Sequence, residues 1–168
     1  MATPPSDGID QEVYALKSTE AKRDFLEEVF KEDQKYRQGQ SSQILQTYGK
    51  LSKQYQSFMI DSDRNDSLNL AKVESYVKIH GYPNLQTLGE LAAQTPWAVI
   101  HHANNYEDRL RNFKLLHQAY QDGNIDSGAF SLFLERMYNY KFRQRYVIEG
   151  VYDQAEQIEK LIQLLELN

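Results

Sequence analysis

The chain has 168 residues, 40% of them hydrophobic and 26% charged, with no cysteine and only 8 glycines and 4 prolines. That length suits one domain burying about two-thirds of its surface without a metal, and the missing cysteine excludes disulfides, thiolate-bound zinc, iron–sulfur clusters and thiol catalysis. A net charge of −5 argues against nucleic acid and anionic lipid as partners, and no apolar run reaches the ~18 residues of a membrane span.

Residues 1–8, with Pro4, Pro5 and Gly8, read as a disordered tail, and 9–168 as a single helical domain. The apolar period is helical almost throughout. A first stripe, Phe25, Leu26, Val29 and Phe30, follows Ser18 as N-cap and ends near Gly39. Ile44, Tyr48, Leu51, Tyr55, Phe58 and Met59 mark a second helix. The run from Asp61 to Asp66 interrupts it, because such side chains compete for backbone hydrogen bonds. A third helix spans Ser67 to His80 and stops at Gly81-Tyr82-Pro83. Thr95 and Pro96 read as cap and first residue of a short helix through Trp97 and His102. Asn104 or Asn105 opens a helix carrying Leu110, Phe113, Leu116 and Tyr120, closed at Asp122-Gly123-Asn124. Asp126 caps a helix with Phe130, Phe133, Leu134 and Met137 on one face. The last helix shows Val151, Ala155, Ile158, Ile162 and Leu165. At about two heptads, it is expected to pack on its own bundle rather than form a dimer seam. The expected fold class is all-α, a single-domain bundle of six or seven helices.

Several apparent motifs dissolve on inspection. Asp61, Asp63 and Asn65 imitate a calcium loop, but Asp66 replaces its glycine and Lys72 its bidentate glutamate. Asp122, Asn124 and Asp126 fail in the same way, and helix capping explains both runs. His101 and His102 point about 100° apart on a helix and do not chelate together. Tyr140-Lys141-Phe142-Arg143-Gln144-Arg145-Tyr146 interleaves bases with aromatics, as single-strand platforms do. The flanking Glu135, Glu149, Asp153 and Glu156 make internal ion pairing the better reading. No metal and no cofactor is expected.

Polar residues on apolar faces carry more information. At about 100° per residue, Asp33 falls inside the Phe25–Val29–Phe30 stripe, and Arg37 extends it one turn later as an i, i+4 acid–base pair. Asn69, Val73, Tyr76 and His80 share a face with Asp66 one turn before them. His102 rides on a helix apolar nearly all round, and Arg136 sits at the edge between Phe133 and Tyr140. Buried polar groups are costly unless paired, so several of these should meet.

The same residues resemble the signature of a bacterial all-helical domain family of unknown function. Its ordered pattern is Asp-Gln-x-x-Arg, Asp-x-x-Asn, His-Gly-Trp-Pro, His-Ala, Asp-Arg and Gln-x-Tyr-Gly. Here these fall on Asp33-Gln34-Lys35-Tyr36-Arg37, Asp66-Ser67-Leu68-Asn69, His80-Gly81-Tyr82-Pro83, His102-Ala103, Glu135-Arg136 and Gln144-Arg145-Tyr146. The likeness covers about residues 22–146. Tyr82, Glu135, Leu110 and Val147-Ile148 depart from the pattern. The family brings no established activity with it, so the resemblance implies a common site without naming its use.

Two functions follow as expectations. One is a pocket for a small polar ligand, or an enzyme-like site, built from Asp33, Arg37, Asn69, Arg136, Gln144 and Tyr146. Its catalytic candidates are His102, His80 and Asp66. Imidazole exchanges protons near working pH, Asp66 would orient it, and Arg136 would hold an anionic group bidentately. The other is an interaction or scaffolding module in which the same cluster is structural. The chain is read as monomer or homodimer, without membrane or nucleic-acid partners. It has no signal peptide, which favours the cytoplasm and leaves export open if the N-terminus was trimmed.

Overall fold

The computed structural model describes residues 8–148, 150 and 152–167. The expected tail at 1–8 falls almost wholly outside them, as do Val151 and Glu149. Among the described residues the secondary structure is helical without strands, in nine helices rather than six or seven. They are α1 (Gly8–Tyr14), α2 (Thr19–Gln34), α3 (Gln40–Tyr48), α4 (Lys53–His80), α5 (Leu85–Leu88), α6 (Glu90–His102), α7 (Tyr106–Gln121), α8 (Ser127–Phe142) and α9 (Gln154–Leu165). No helix is long and apolar enough to cross a membrane. The helices form two compact units, residues 8–102 and 103–167.

The N-terminal unit is organised by α4, which packs on α1, α2, α3 and α6. At 28 residues it is about 42 Å long. The expected interruption at Asp61–Asp66 does not occur. The side chains that would end a helix are engaged elsewhere: Asn65 donates from Nδ2 to the Glu32 carbonyl of α2 at 2.9 Å, and Ser67 bonds back to the Asp63 carbonyl. The break comes earlier, at Gly49, whose φ of 82° lies where side-chain-bearing residues are disfavoured. Ser52 then caps α4. Val13, Leu26, Tyr76, Leu88 and Ala92 form the core of this unit, with Phe25 stacked on Tyr76.

A second correction concerns Pro96. It lies in the second turn of α6 rather than opening the helix, and removes the donor for the Ala92 carbonyl. The carbonyls on either side are bonded by side chains instead. Thr95 lies 2.9 Å from the Leu91 oxygen and the Tyr82 hydroxyl donates to Ala93.

In the C-terminal unit α8 packs on both α7 and α9. Phe130, Phe133, Leu134 and Met137 are completely buried, and Phe130 stacks on Tyr120 and His117. On two helices the expected inward face holds for Phe113 and Leu116 of α7 and for Ile158 and Leu165 of α9, and differs at its edge. On α7, Leu110 is 43% exposed and its neighbour Arg109 is fully buried. On α9, Ala155 is exposed and the inward face is Gln157, Ile158, Leu161 and Leu165. Leu161→Ala should therefore destabilise the chain by about 2–5 kcal/mol. Leu164→Ala, at an exposed position of the same helix, should stay within about 0.5 kcal/mol. Urea denaturation of the two variants checks this, and equal losses would mean that α9 presents a different face.

Candidate functional site

The centre of the N-terminal unit's polar cluster is Asp33, in the last turn of α2. It is 1% exposed, far below what an unpaired carboxylate tolerates. Four N–H groups from three residues donate to it. Gln34 Nε2 lies 2.8 Å from Oδ2. Arg37, just beyond the helix end, reaches Oδ1 with Nη2 at 3.1 Å and Oδ2 with Nε at 3.4 Å. His102, the last residue of α6, places Nδ1 2.8 Å from Oδ2 and 3.1 Å from Oδ1. Arg37 then continues across to α4, where Nη2 lies 2.6 Å from Asp66 Oδ1. Helices α2, α4 and α6 are thus joined by one connected set, His102–Asp33–Arg37–Asp66.

The two carboxylates are driven apart electrostatically. Burial works to raise Asp33, but the His102 and Arg37 hydrogen bonds and charges outweigh it and hold Asp33 below the usual carboxylate value. Asp66 goes the other way: burial pushes it up, the single Arg37 contact only partly offsets this, and the neighbouring Asp33 charge adds to the rise. Burial also works against the Arg37 charge, yet Asp33 and then Asp66 hold the guanidinium above its ordinary value. Paired acids with opposed shifts are a recurrent arrangement in acid–base sites.

The other expected residues are distributed as follows. Asn69 lies one turn beyond Asp66 on the same buried face, is 2% exposed, and leaves its Nδ2 without a hydrogen-bond partner. His80, fourteen residues beyond Asp66 and about 21 Å along the helix axis, does not join the cluster. Its Nε2 lies 2.9 Å from the Val13 carbonyl and ties α1 to α4. Arg136, Gln144 and Tyr146 belong to the C-terminal unit. Arg136 there is half-buried on α8, where its charge acts on Arg109. The cation on Asp66 is Arg37. Gln144 Nε2 donates to the Tyr138 hydroxyl at 3.0 Å, and Tyr146 donates its hydroxyl to Gln157 at 2.6 Å.

Sequence reasoning overlooked Arg109, the largest fully buried side chain. It donates to the Asn105 carbonyl at 2.8 Å and lies 4.1 Å over the Tyr140 ring. Burial lowers its pKa, Tyr140 opposes that, and the Arg136 charge adds to it. Its signal is the spacing Arg109, Asn112, Phe113, Leu116, which is helical and inward. Among the described residues no group of three or more His, Asp or Glu side chains could hold a metal.

The opposed shifts predict opposed pH dependences. A lowered Asp33 adds stability that is present above its ordinary value of 3.8 and lost as pH falls through the folded value. A raised Asp66 adds stability present below 3.8 and lost as pH rises through its folded value. Relative to the unsubstituted chain, Asp33→Asn should therefore become worse as pH climbs toward 3.8. Asp66→Asn should become better as pH climbs beyond it. Thermal unfolding from acid to neutral pH reads both slopes, and parallel slopes would contradict the described network. Asp33→Ala, which leaves the half-buried Arg37 to Asp66 alone, should cost about 1.5–3 kcal/mol at neutral pH.

No protein-family model, curated protein or solved structure matches the chain, so its functional reading rests on the geometry above.

Proposed function

We propose that the N-terminal unit is a binding site for a small polar ligand in which His102, oriented by Asp33, accepts a proton or a hydrogen bond. One observation carries this reading. The nearly inaccessible Asp33 grips Nδ1 of a ring that keeps 18% of its own surface exposed. An ionised carboxylate can only accept, so Nδ1 carries the proton and the neutral ring has its bare nitrogen at Nε2. That is the Asp–His orientation used in general-base catalysis. Arg37 is occupied by two carboxylates, which favours a hydroxyl- or amine-bearing ligand over an anion. Asp33, Arg37, Asp66 and His102 all come from the ordered motifs that carry the likeness to the bacterial helical family, which supports a shared site.

A scaffolding role is the second reading, favoured by the number of donors that Asp33 already receives within the chain. Asparagine at 102 discriminates, because its amide nitrogen takes the place of Nδ1 but nothing replaces Nε2. On the scaffold reading His102→Asn retains the stability that His102→Ala loses, and Nε2 has no use. On the proposed reading, diethyl pyrocarbonate modifies Nε2 of His102 faster than His80, whose Nε2 faces a carbonyl. Nitrogen chemical shifts should also show the Nδ1–H tautomer for the neutral ring. A His102 inert to the reagent in the native chain would overturn the proposal and leave the scaffold.

A further inference from the structure

We infer that the C-terminal unit carries a binding site of its own, a cleft between the end of α8 and the loop after it, for the zwitterionic head of a small α-amino acid with an apolar side chain. The cleft encloses ≈ 380 Å³ and is lined by Glu135, Asn139, Arg145, Tyr146, Val147 and Ile148. This volume falls at the small end of the range of about 300–1,000 Å³ seen for small-molecule sites.

The loop wall is built rather than incidental. Arg143 takes a left-handed conformation, φ 55° and ψ 28°, unusual for a residue with a side chain, and turns the chain back along α8. Three hydrogen bonds then fix it there. Gln144 bonds Tyr138. The Tyr146 backbone N–H donates to Asn139 Oδ1 at 2.8 Å, and the Tyr146 hydroxyl donates to Gln157, which is 3% exposed. The Tyr146 ring also meets Tyr138 edge-on at 5.1 Å. Gln144 and Tyr146 are positioning residues in this account.

The charges in the cleft point to its ligand. Glu135 is half-buried on α8 and Arg145 stands on the loop, both lining one cleft. Among the described residues neither forms an ion pair with the other or with anything else. A half-buried carboxylate without a partner favours a cation, which an α-ammonium supplies. The Arg145 fork matches an α-carboxylate bidentately. Because Asn139 Oδ1 is fixed as an acceptor by the Tyr146 N–H, its Nδ2 remains as a donor to the same carboxylate. Val147, 69% exposed, and Ile148 offer apolar surface that a ligand side chain would cover.

The test uses the full chain and three probes: L-leucine, N-acetyl-L-leucine and L-leucinamide, titrated by calorimetry. Leucine should bind saturably, and removing either charge should weaken binding by about tenfold or more, equivalent to about 1.4 kcal/mol. Glu135→Gln should weaken leucine and leucinamide while leaving acetyl-leucine unchanged. Arg145→Gln should weaken leucine and acetyl-leucine while leaving leucinamide unchanged. Neither side chain has a partner to lose, and a circular dichroism melt confirms that each variant folds. Equal binding of all three probes, or no saturation by leucine up to tens of millimolar, would overturn the inference. The experiment is independent of His102.

Discussion

The N-terminal unit depends on one unfavourable placement. Asp33 puts a carboxylate in the last turn of α2, where the helix dipole is already negative, and then buries it. A lone charge there would neutralise or unfold the unit. Its cationic and polar partners come from three directions: Gln34 beside it, Arg37 from the chain leaving the helix, and His102 from the end of α6. What holds α2 against α6 in this region is therefore an electrostatic requirement as well as apolar contact.

Helix α4 extends the constraint. Its inward positions Ser62, Asp66, Asn69, Val73, Tyr76 and His80 alternate at spacings of four and three, the rhythm of a packed seam. The seam changes character midway. Its first half is polar and meets Arg37, and its second half is apolar and enters the core with Leu26 and Leu88. One helix thereby serves a stable core and a charged cluster at different heights, which keeps His80 and His102 in separate roles.

The C-terminal unit solves a similar problem with aromatic faces. Arg109 is fully buried, and its guanidinium is covered by Tyr140 and bonded to a helix-capping carbonyl, as suits a delocalised, weakly hydrated cation. The Gln-x-Tyr motif of the same unit uses its hydrogen bonds to hold a loop against α8. The motif residues thus contribute to two local constructions, one in each unit.

Much of this was legible in the sequence because it rests on local chemistry. Ser18 and Asp126 are read as N-caps and act as such, and of the two candidates Asn104 and Asn105 the second does, since capping involves only the next three residues. The inward pairing of Asp33 with Arg37, and the common face of Asp66, Asn69, Val73 and Tyr76, follow from helical periodicity alone. Tertiary packing decided the rest. The polar run at 61–66 stays helical because Asn65 finds a carbonyl on α2, a contact that no local rule supplies. On α7 the inward face takes in Arg109 rather than Leu110, because the Tyr140 ring is there to cover the guanidinium. Most of all, the sequence could pair Arg37 with Asp33 along one stretch of chain, but that the same guanidinium also reaches Asp66 depends on how α2 lies against α4, a property of the folded chain that periodicity does not encode.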